Sequence, residues 1–330
     1  MLECLYTFLS PKLVTVSESP PGISVLMTAY NAMPYLESAV DSILKQTYSN
    51  FEFVIVNDGS VDGTQEYLNS VQDPRIRVFH EINRGTAGAS NFGLSHCNGK
   101  YVARMDADDV SMPTRLEKQF EFMESNPEVS LVGTQTQLLG EKELGMKPAM
   151  PLEHDEIFDA LKKLNHGIAH GSCMYRNRLI QQMGGYWDTH RTFDDWDMFL
   201  KMGEVGRLAN LPELLYQYRL LAQGLVGSRL GEMRQYYWYA IECSERRTQN
   251  APPISFEDFI ANSGRQTWLG KKIESLEVYA LNQYRISAAD LINGQKLRGY
   301  SRLILAASCS PTRTLNRVQR TLLNWRRVKT

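Results

Sequence analysis

Three of the four residues from Asp106 to Asp109 are carboxylates, and they end the apolar run Tyr101-Val102-Ala103-Arg104-Met105. Carboxylates this crowded repel one another unless a cation or hydrogen-bond donors share the charge, so the stretch reads as a hard-metal site or as a solvated Asp-rich turn. The alternate spacing of Asp106 and Asp108 lets both side chains leave the same side of an extended chain. One can then reach a ribose hydroxyl and the other a divalent ion that also grips a diphosphate. That division suits a reaction in which a nucleoside diphosphate departs with growing negative charge. A second acid, Asp58 in Val56-Asn57-Asp58-Gly59-Ser60, closes another apolar run. Held at a strand end, it can accept a hydrogen bond from the imide N–H of a uracil or thymine ring, with Tyr30 packing on that ring. A turn or helix-capping aspartate is the plainer reading. A third group, Asp194-Asp195-Trp196-Asp197, opens an amphipathic stretch, where its charge would in any case favour a helix N-terminus.

The elements that must carry these acids follow from the hydrophobic pattern. Ile23 to Thr28 reads as a buried strand and Pro34 opens a helix with Leu36, Val40, Ile43 and Leu44 at helical period. Phe51 to Val56 is a second strand, followed by a helix with Asp62 as N-cap. Arg75 to His80 is a third strand, Ala87 to His96 a helix, and Tyr101 to Met105 a fourth strand bearing the acids. This is the grammar of a mostly parallel sheet, in which ligands sit beyond the carboxyl ends of the strands. Further on, a helix runs from Pro113 to about Ser125, and Val129 to Leu139 forms one or two strands. Another helix is expected from Asp155 to Leu164, and Gly167 to Tyr175 suits a strand edge facing a ligand. Asp194 to Met202 is helical, and Leu214 to Tyr218 is the last sheet candidate. Beyond about Ser228 the pattern is wholly helical.

A chain of 330 residues, 43% hydrophobic and 22% charged, can bury a sizeable core. The formal net charge of -1 argues neither for nor against a polyanionic partner, and no nucleic-acid partner is expected. The charge is unevenly spread: no acidic residue follows Asp290, while Lys296, Arg298, Arg302, Arg313, Arg317, Arg320, Arg326, Arg327 and Lys329 do. From Arg313 to Arg327 the tail forms a basic amphipathic pattern, suited equally to an anionic membrane surface or to packing on the protein. The five cysteines are scattered without metal-binding or disulfide-like spacing, which fits a reducing compartment. The first ten residues lack a basic n-region, and no run approaches the roughly 20 apolar residues that span a bilayer. A cytoplasmic location is expected, with peripheral membrane contact through the tail as an option.

Taken together, Ile23 to Asn31, Ser42 to Tyr48, Val56 to Thr64, Asn83-Arg84-Gly85 and Arg104 to Asp109 resemble the family 2 glycosyltransferases. The resemblance spans roughly residues 23 to 220. It implies the inverting GT-A fold: an α/β domain of mixed, mostly parallel sheet flanked by helices. A lead-in of 1–22, a GT-A domain of 23–225 and a helical extension of 226–330 follow. Position by position, it implies that Thr28, Tyr30 and Asp58 contact the nucleoside of a nucleotide-sugar donor. Asp106 would meet its ribose or diphosphate, Asp108 a divalent metal (Mn2+ or Mg2+), and Asp109 would support them. The acid pair opening a helix matches Asp194-Asp195, with Asp195 as catalytic base. His170, Asp194 and Trp196 fall on the acceptor side; a structural histidine and a core tryptophan are the ordinary alternatives for two of them. Many relatives carry Tyr-Arg-x-His after the last strand, whereas Tyr218-Arg219-Leu220-Leu221 has leucine at the histidine position. Either the ion keeps a water there, or the loop from Ala222 to Ser228 is rearranged.

The expected activity is transfer of a sugar, from a UDP-sugar above all, to a saccharide or lipid-linked saccharide in cell-surface polysaccharide assembly. Two rivals remain at this level. A nucleotidylyltransferase would need a Gly-rich loop with Arg and Lys after the first strand, and Thr28 to Pro34 has none. A nucleotide-sugar-binding protein without turnover is the other.

Overall fold

The computed structural model describes residues 20–139, 150–187, 195–219, 230–262, 268–292 and 294–310. An eight-stranded sheet runs in the order β3-β2-β1-β4-β7-β6-β8-β5. Its parallel half consists of β1 (Ile23–Ala29), β2 (Phe51–Asp58), β3 (Ile76–Glu81) and β4 (Tyr101–Asp106). The three inner strands, β1, β2 and β4, read as largely apolar runs because the sheet is covered there on both faces, whereas β3 at the edge is only partly buried. Successive side chains divide between two cores. Val25, Met27, Phe53 and Ile55 pack with Leu36, Val40 and Ile43 of α1 (Leu36–Leu44), while Leu26, Val54 and Val102 pack with Ala87 and Leu94 of α3 (Gly85–Leu94). Between β2 and β3 lies α2 (Thr64–Ser70). Its N-cap position is Gly63, at φ +54°, rather than Asp62. Asp62 instead accepts from the amides of Thr64 (3.1 Å) and Met33 (3.0 Å), tying the loop after β2 to the loop after β1.

The second half of the sheet is mixed. β5 (Val110–Ser111) and α4 (Arg115–Ser125) follow the acids, then β6 (Val129–Leu138) as a single strand, α5 (His154–Lys162), a 3-10 turn (His170–Ser172) and β7 (Met174–Arg176). The expectation of a strand edge here is corrected: β7 is an interior strand, antiparallel to both β4 and β6. Next come α6 (Asn177–Gln182), α7 (Asp195–Val205) and β8 (Arg207–Tyr218). β8 begins seven residues before the expected Leu214. Its register opposite β6 jumps from Leu211 to Leu214, so Pro212 and Glu213 sit in a bulge where a missing amide costs no ladder bond. β5 and α6 are too short to leave a periodic signature and escaped the sequence reading.

The described chain after Leu230 is helical: α8 (Leu230–Thr248), α9 (Phe256–Asn262), α10 (Trp268–Ile292) and α11 (Lys296–Cys309). α8 lies on α7, where the Tyr237 ring stacks on Trp196 with centroids 4.3 Å apart. α10 and α11 form a hairpin closed by the Ser287 hydroxyl, which donates to the Gly299 carbonyl at 2.7 Å. No described helix is long and apolar enough to cross a membrane.

Leu26 is fully buried, and the α-carbon of Gly93 in α3 lies so close that a side chain there would strike it. Replacing Leu26 with alanine removes that packing and is expected to cost about 2–5 kcal/mol of stability in urea unfolding. A cost below about 1 kcal/mol would mean that the sheet and α3 are not packed as described.

Candidate active site

β1 is the axis of the site. Its register places Thr28 beside both Val56 of β2 and Asp106 of β4, so the carboxyl ends of three strands finish in one row. Tyr30 follows β1 with 54% of its surface exposed, leaving a ring face available to a ligand. The loop that carries it is fixed by its neighbour: the Asn31 amide donates to Ser60 Oγ (2.9 Å), the Val61 amide to Asn31 Oδ1 (2.9 Å) and the Ala32 amide to Thr64 Oγ1 (3.0 Å). Asn31 adopts φ +49°, a left-handed conformation that asparagine tolerates better than most residues.

Asp58 is only 3% exposed. Its Oδ1 accepts from the Arg84 amide at 2.6 Å and its Oδ2 from the Gly85 amide at 3.0 Å, while its carbonyl accepts from Asn83 Nδ2 at 3.0 Å. The carboxylate therefore anchors Asn83-Arg84-Gly85 at the start of α3. An imide donor would have to use the second lone pairs of oxygens already engaged.

The acid cluster rests on buried cations. Arg104, fully enclosed, donates to the Leu26 carbonyl (3.1 Å) and to Thr28 Oγ1 (2.8 Å), and its Nη2 lies 3.7 Å from Asp106 Oδ1. Arg115, at the start of α4, donates to the carbonyls of Gly171 (2.9 Å) and Arg104 (3.0 Å) beneath the same corner. Burial lowers its pKa to about 10, so it remains cationic at neutral pH. The Asp106 amide donates to the hydroxyl of buried Tyr216 at 3.2 Å, which joins β4 to β8. Arg219, just past β8, donates from its amide to Asp109 Oδ1 (2.7 Å) and from Nε to the Asp108 carbonyl (2.9 Å), with its guanidinium 4.1 Å from the Tyr35 ring centroid.

Those cations do not offset the burial and mutual repulsion of the carboxylates. Burial and the charge of Asp106 push Asp108 up to about 6; burial, then Asp106 and Asp108, push Asp109 up to about 8. A divalent ion would offset that burial and repulsion, and carboxylate oxygens suit Mg2+ or Mn2+. Among the described residues no group of three or more His, Cys, Asp or Glu side chains converges as a ready-made metal site. The chain can thus offer Asp108 and its neighbour Asp106, with other ligands coming from a bound diphosphate or water. Leu221, the departure from the expected histidine, lies outside the described residues.

The opposite wall is the 3-10 turn and the start of α7. Gly171 backs directly onto Asp106: a β-carbon there would collide with the Asp106 carboxylate and the Tyr216 hydroxyl. The buried Cys173 thiol, two residues on, feels the charges of both Asp195 and Asp106. Asp195 is the first residue of α7 and accepts from the Tyr237 hydroxyl at 3.4 Å. His170 Nε2 lies 3.0 Å from the Tyr186 hydroxyl, which is itself 2.9 Å from Tyr175. Burial, followed by Arg104, holds the His170 imidazole well below the usual histidine range, so it is neutral.

Trp196 requires a correction. It is 2% exposed, donates to the Leu161 carbonyl at 3.3 Å and is sandwiched against Tyr237, so its ring belongs to the core and cannot stack on a sugar. Asp197 is likewise structural, buried between Lys201 (2.7 Å) and Arg247 (3.5 Å). Asp194 lies outside the described residues. Arg115 and Tyr216 were not singled out from the sequence; a basic residue just inside the helix after Pro113 was the one available hint of the former.

Comparison with known proteins assigns the class. The profile of Glycosyl transferase family 2 matches residues 24–184. The O-antigen biosynthesis glycosyltransferase WbnJ of Escherichia coli is 31% identical over 204 residues, covering 60% of this chain and 79% of that protein. TarS of S. aureus in complex with UDP-GlcNAc superposes with a TM-score of 0.58 at 16% identity, over 90% of this chain and 91% of that one. The mannosyltransferase PcManGT of Pyrobaculum calidifontis in complex with GDP-Man and Mn2+ gives 0.51 at 19% identity, over 92% and 81%. The fold is that of the GT-A glycosyltransferases. The chain belongs to glycosyltransferase family 2, which sets aside the nucleotidylyltransferase reading.

The raised carboxyls carry a pH signature. Between about pH 4 and pH 8 the folded protein holds protons that the unfolded chain, with aspartates near 3.8, has released. By linkage, stability without divalent ions falls as pH rises across that window. Asp109→Asn keeps the acceptor for the Arg219 amide and removes one charge. It is expected to flatten the decline and raise the melting temperature at pH 8, by about 2–4 °C per kcal/mol relieved. Thermal unfolding at pH 5 and pH 8 checks this; a lower melting temperature for the variant at pH 8 would contradict it.

Proposed function

We propose that this glycosyltransferase is an inverting, metal-dependent enzyme. It moves a sugar from a nucleoside-diphosphate donor, a UDP-sugar first of all, to a hydroxyl of a saccharide or lipid-linked saccharide in cell-surface polysaccharide assembly. The observation that carries the reading is the row of strand ends that sets Thr28, Asp58 and Asp106 side by side, with Asp195 near enough for its charge to act on the buried Cys173 thiol as that of Asp106 does. The named activity of the Escherichia coli relative supports the acceptor class, and the complexes of the two structural neighbours support a nucleotide-sugar donor and a divalent ion. Residues up to about 225 form the catalytic unit in this reading, and the helices after it an extension.

Each residue has a definable task. Tyr30 covers one face of the base, and Thr28 and Asp58 border its edge. Asp106 holds the ribose or the diphosphate, and Asp108 holds the ion. When bound, that ion offsets the negative charge that gathers on the departing diphosphate. Asp195 takes the proton from the acceptor hydroxyl as its oxygen attacks the anomeric carbon. The bond from that carbon to the diphosphate oxygen breaks on the opposite face, so configuration inverts. Neutral His170 and the 3-10 turn border the acceptor side.

Asp195→Asn is expected to lower transfer, or donor hydrolysis, by about 10²–10⁴-fold, while calorimetry shows UDP affinity within about twofold of wild type. Equal turnover by the two proteins would remove Asp195 from its role, and absence of turnover in both would favour a binding protein. Manganese added with UDP is expected to raise the melting temperature of wild type and not of Asp108→Asn, a readout independent of activity. An equal rise in both would place the ion elsewhere.

A further inference from the structure

α11 turns two unlike faces outward and inward. Gly299 and Ala306 are buried against α10, where any side chain at Gly299 would strike Leu291. The opposite side exposes Leu297 (92%), Tyr300 and Ile304 (71%), positions i, i+3 and i+7, which form one stripe along a helix. Tyr279 of α10 joins this face across a shallow groove that also touches Ile304, Leu305 and Arg298. Apolar side chains so exposed and contiguous mark an interaction surface rather than scattered surface residues.

The charge around the stripe selects the partner. At 100° per residue, Lys296 and Arg298 lie about 100° either side of Leu297, one on each flank. From Lys296 to Lys329 the sequence holds nine Lys or Arg residues and no Asp or Glu. A two-fold contact with a second copy would set this basic rim against itself. An anionic lipid surface accepts both features at once: acyl chains take up the apolar stripe and headgroup phosphates pair with its flanks. We infer that α11 is an interfacial helix that holds the protein on an anionic membrane, with Leu297, Tyr300 and Ile304 inserted and Lys296 and Arg298 at headgroup level.

This inference is independent of the transfer chemistry, and its test needs no donor or acceptor. The full chain is incubated with unilamellar vesicles of phosphatidylcholine containing phosphatidylglycerol, or of phosphatidylcholine alone, and sedimented at low and high salt. Wild type is expected to sediment with the anionic vesicles and not with the neutral ones, less so as salt rises. Leu297→Asp with Ile304→Asp, and separately Lys296→Glu with Arg298→Glu, are each expected to weaken binding about tenfold or more. Both pairs are solvent-facing, so unchanged circular dichroism serves as the folding control, and Ile304→Ser provides a milder variant. Failure of wild type to bind anionic vesicles overturns the inference. So does wild-type binding by the Leu297→Asp, Ile304→Asp pair, which would leave attachment to the tail alone. A dimer in light scattering that this pair dissolves, without vesicle binding, would assign the face to a second copy.

Discussion

The organising constraint is electrostatic: three aspartates follow one another in a partly buried corner, where burial and mutual repulsion outweigh the arginines around them. Arg104 and Arg115 are enclosed below the corner, and Arg219 closes it from the side. Buried guanidinium groups are costly unless their donors are used, and here they bond to backbone carbonyls that hold β1, β4, α4 and the 3-10 turn in register. These contacts therefore tie together the elements that carry the acids. Burial, and then repulsion between the carboxylates, nevertheless makes Asp108 and Asp109 resist ionisation.

Much of the parallel half was legible because its physics is local. Buried strands are short apolar runs, helices between them show a 3.6-residue period, and strand ends coincide with the acids. What escaped depended on distance along the chain. β7 looked like an edge because its two neighbours, β4 and β6, are remote in sequence. β8 looked short because Pro212 interrupts it, and only the partner strand shows that the interruption is a bulge.

The candidate site divides in the same way. Asp58, Asp106 and Asp108 were recognisable from their place at strand ends, yet the task of Asp58 as anchor for the Arg84 and Gly85 amides needs coordinates. Trp196 and Asp197 share a helical turn with Asp195, and sequence alone cannot tell which of the three faces the cleft. Packing accounts for two of them: the indole is taken by Tyr237 of α8 and the Asp197 carboxylate by Lys201 and Arg247, while Asp195 accepts from the Tyr237 hydroxyl. Arg115 and Tyr216 carry no chemistry of their own, so no motif marks them, although they sit under the acids.

Gly171, within the 3-10 turn that leads through Cys173 into β7, leaves no room for a methyl group between its backbone and the Asp106 carboxylate. Such closeness leaves no slack for drift. Any change that moves the turn also presses on that carboxylate, so, with the roles proposed above, a change of acceptor preference would be felt on the donor side and the two would have to evolve together.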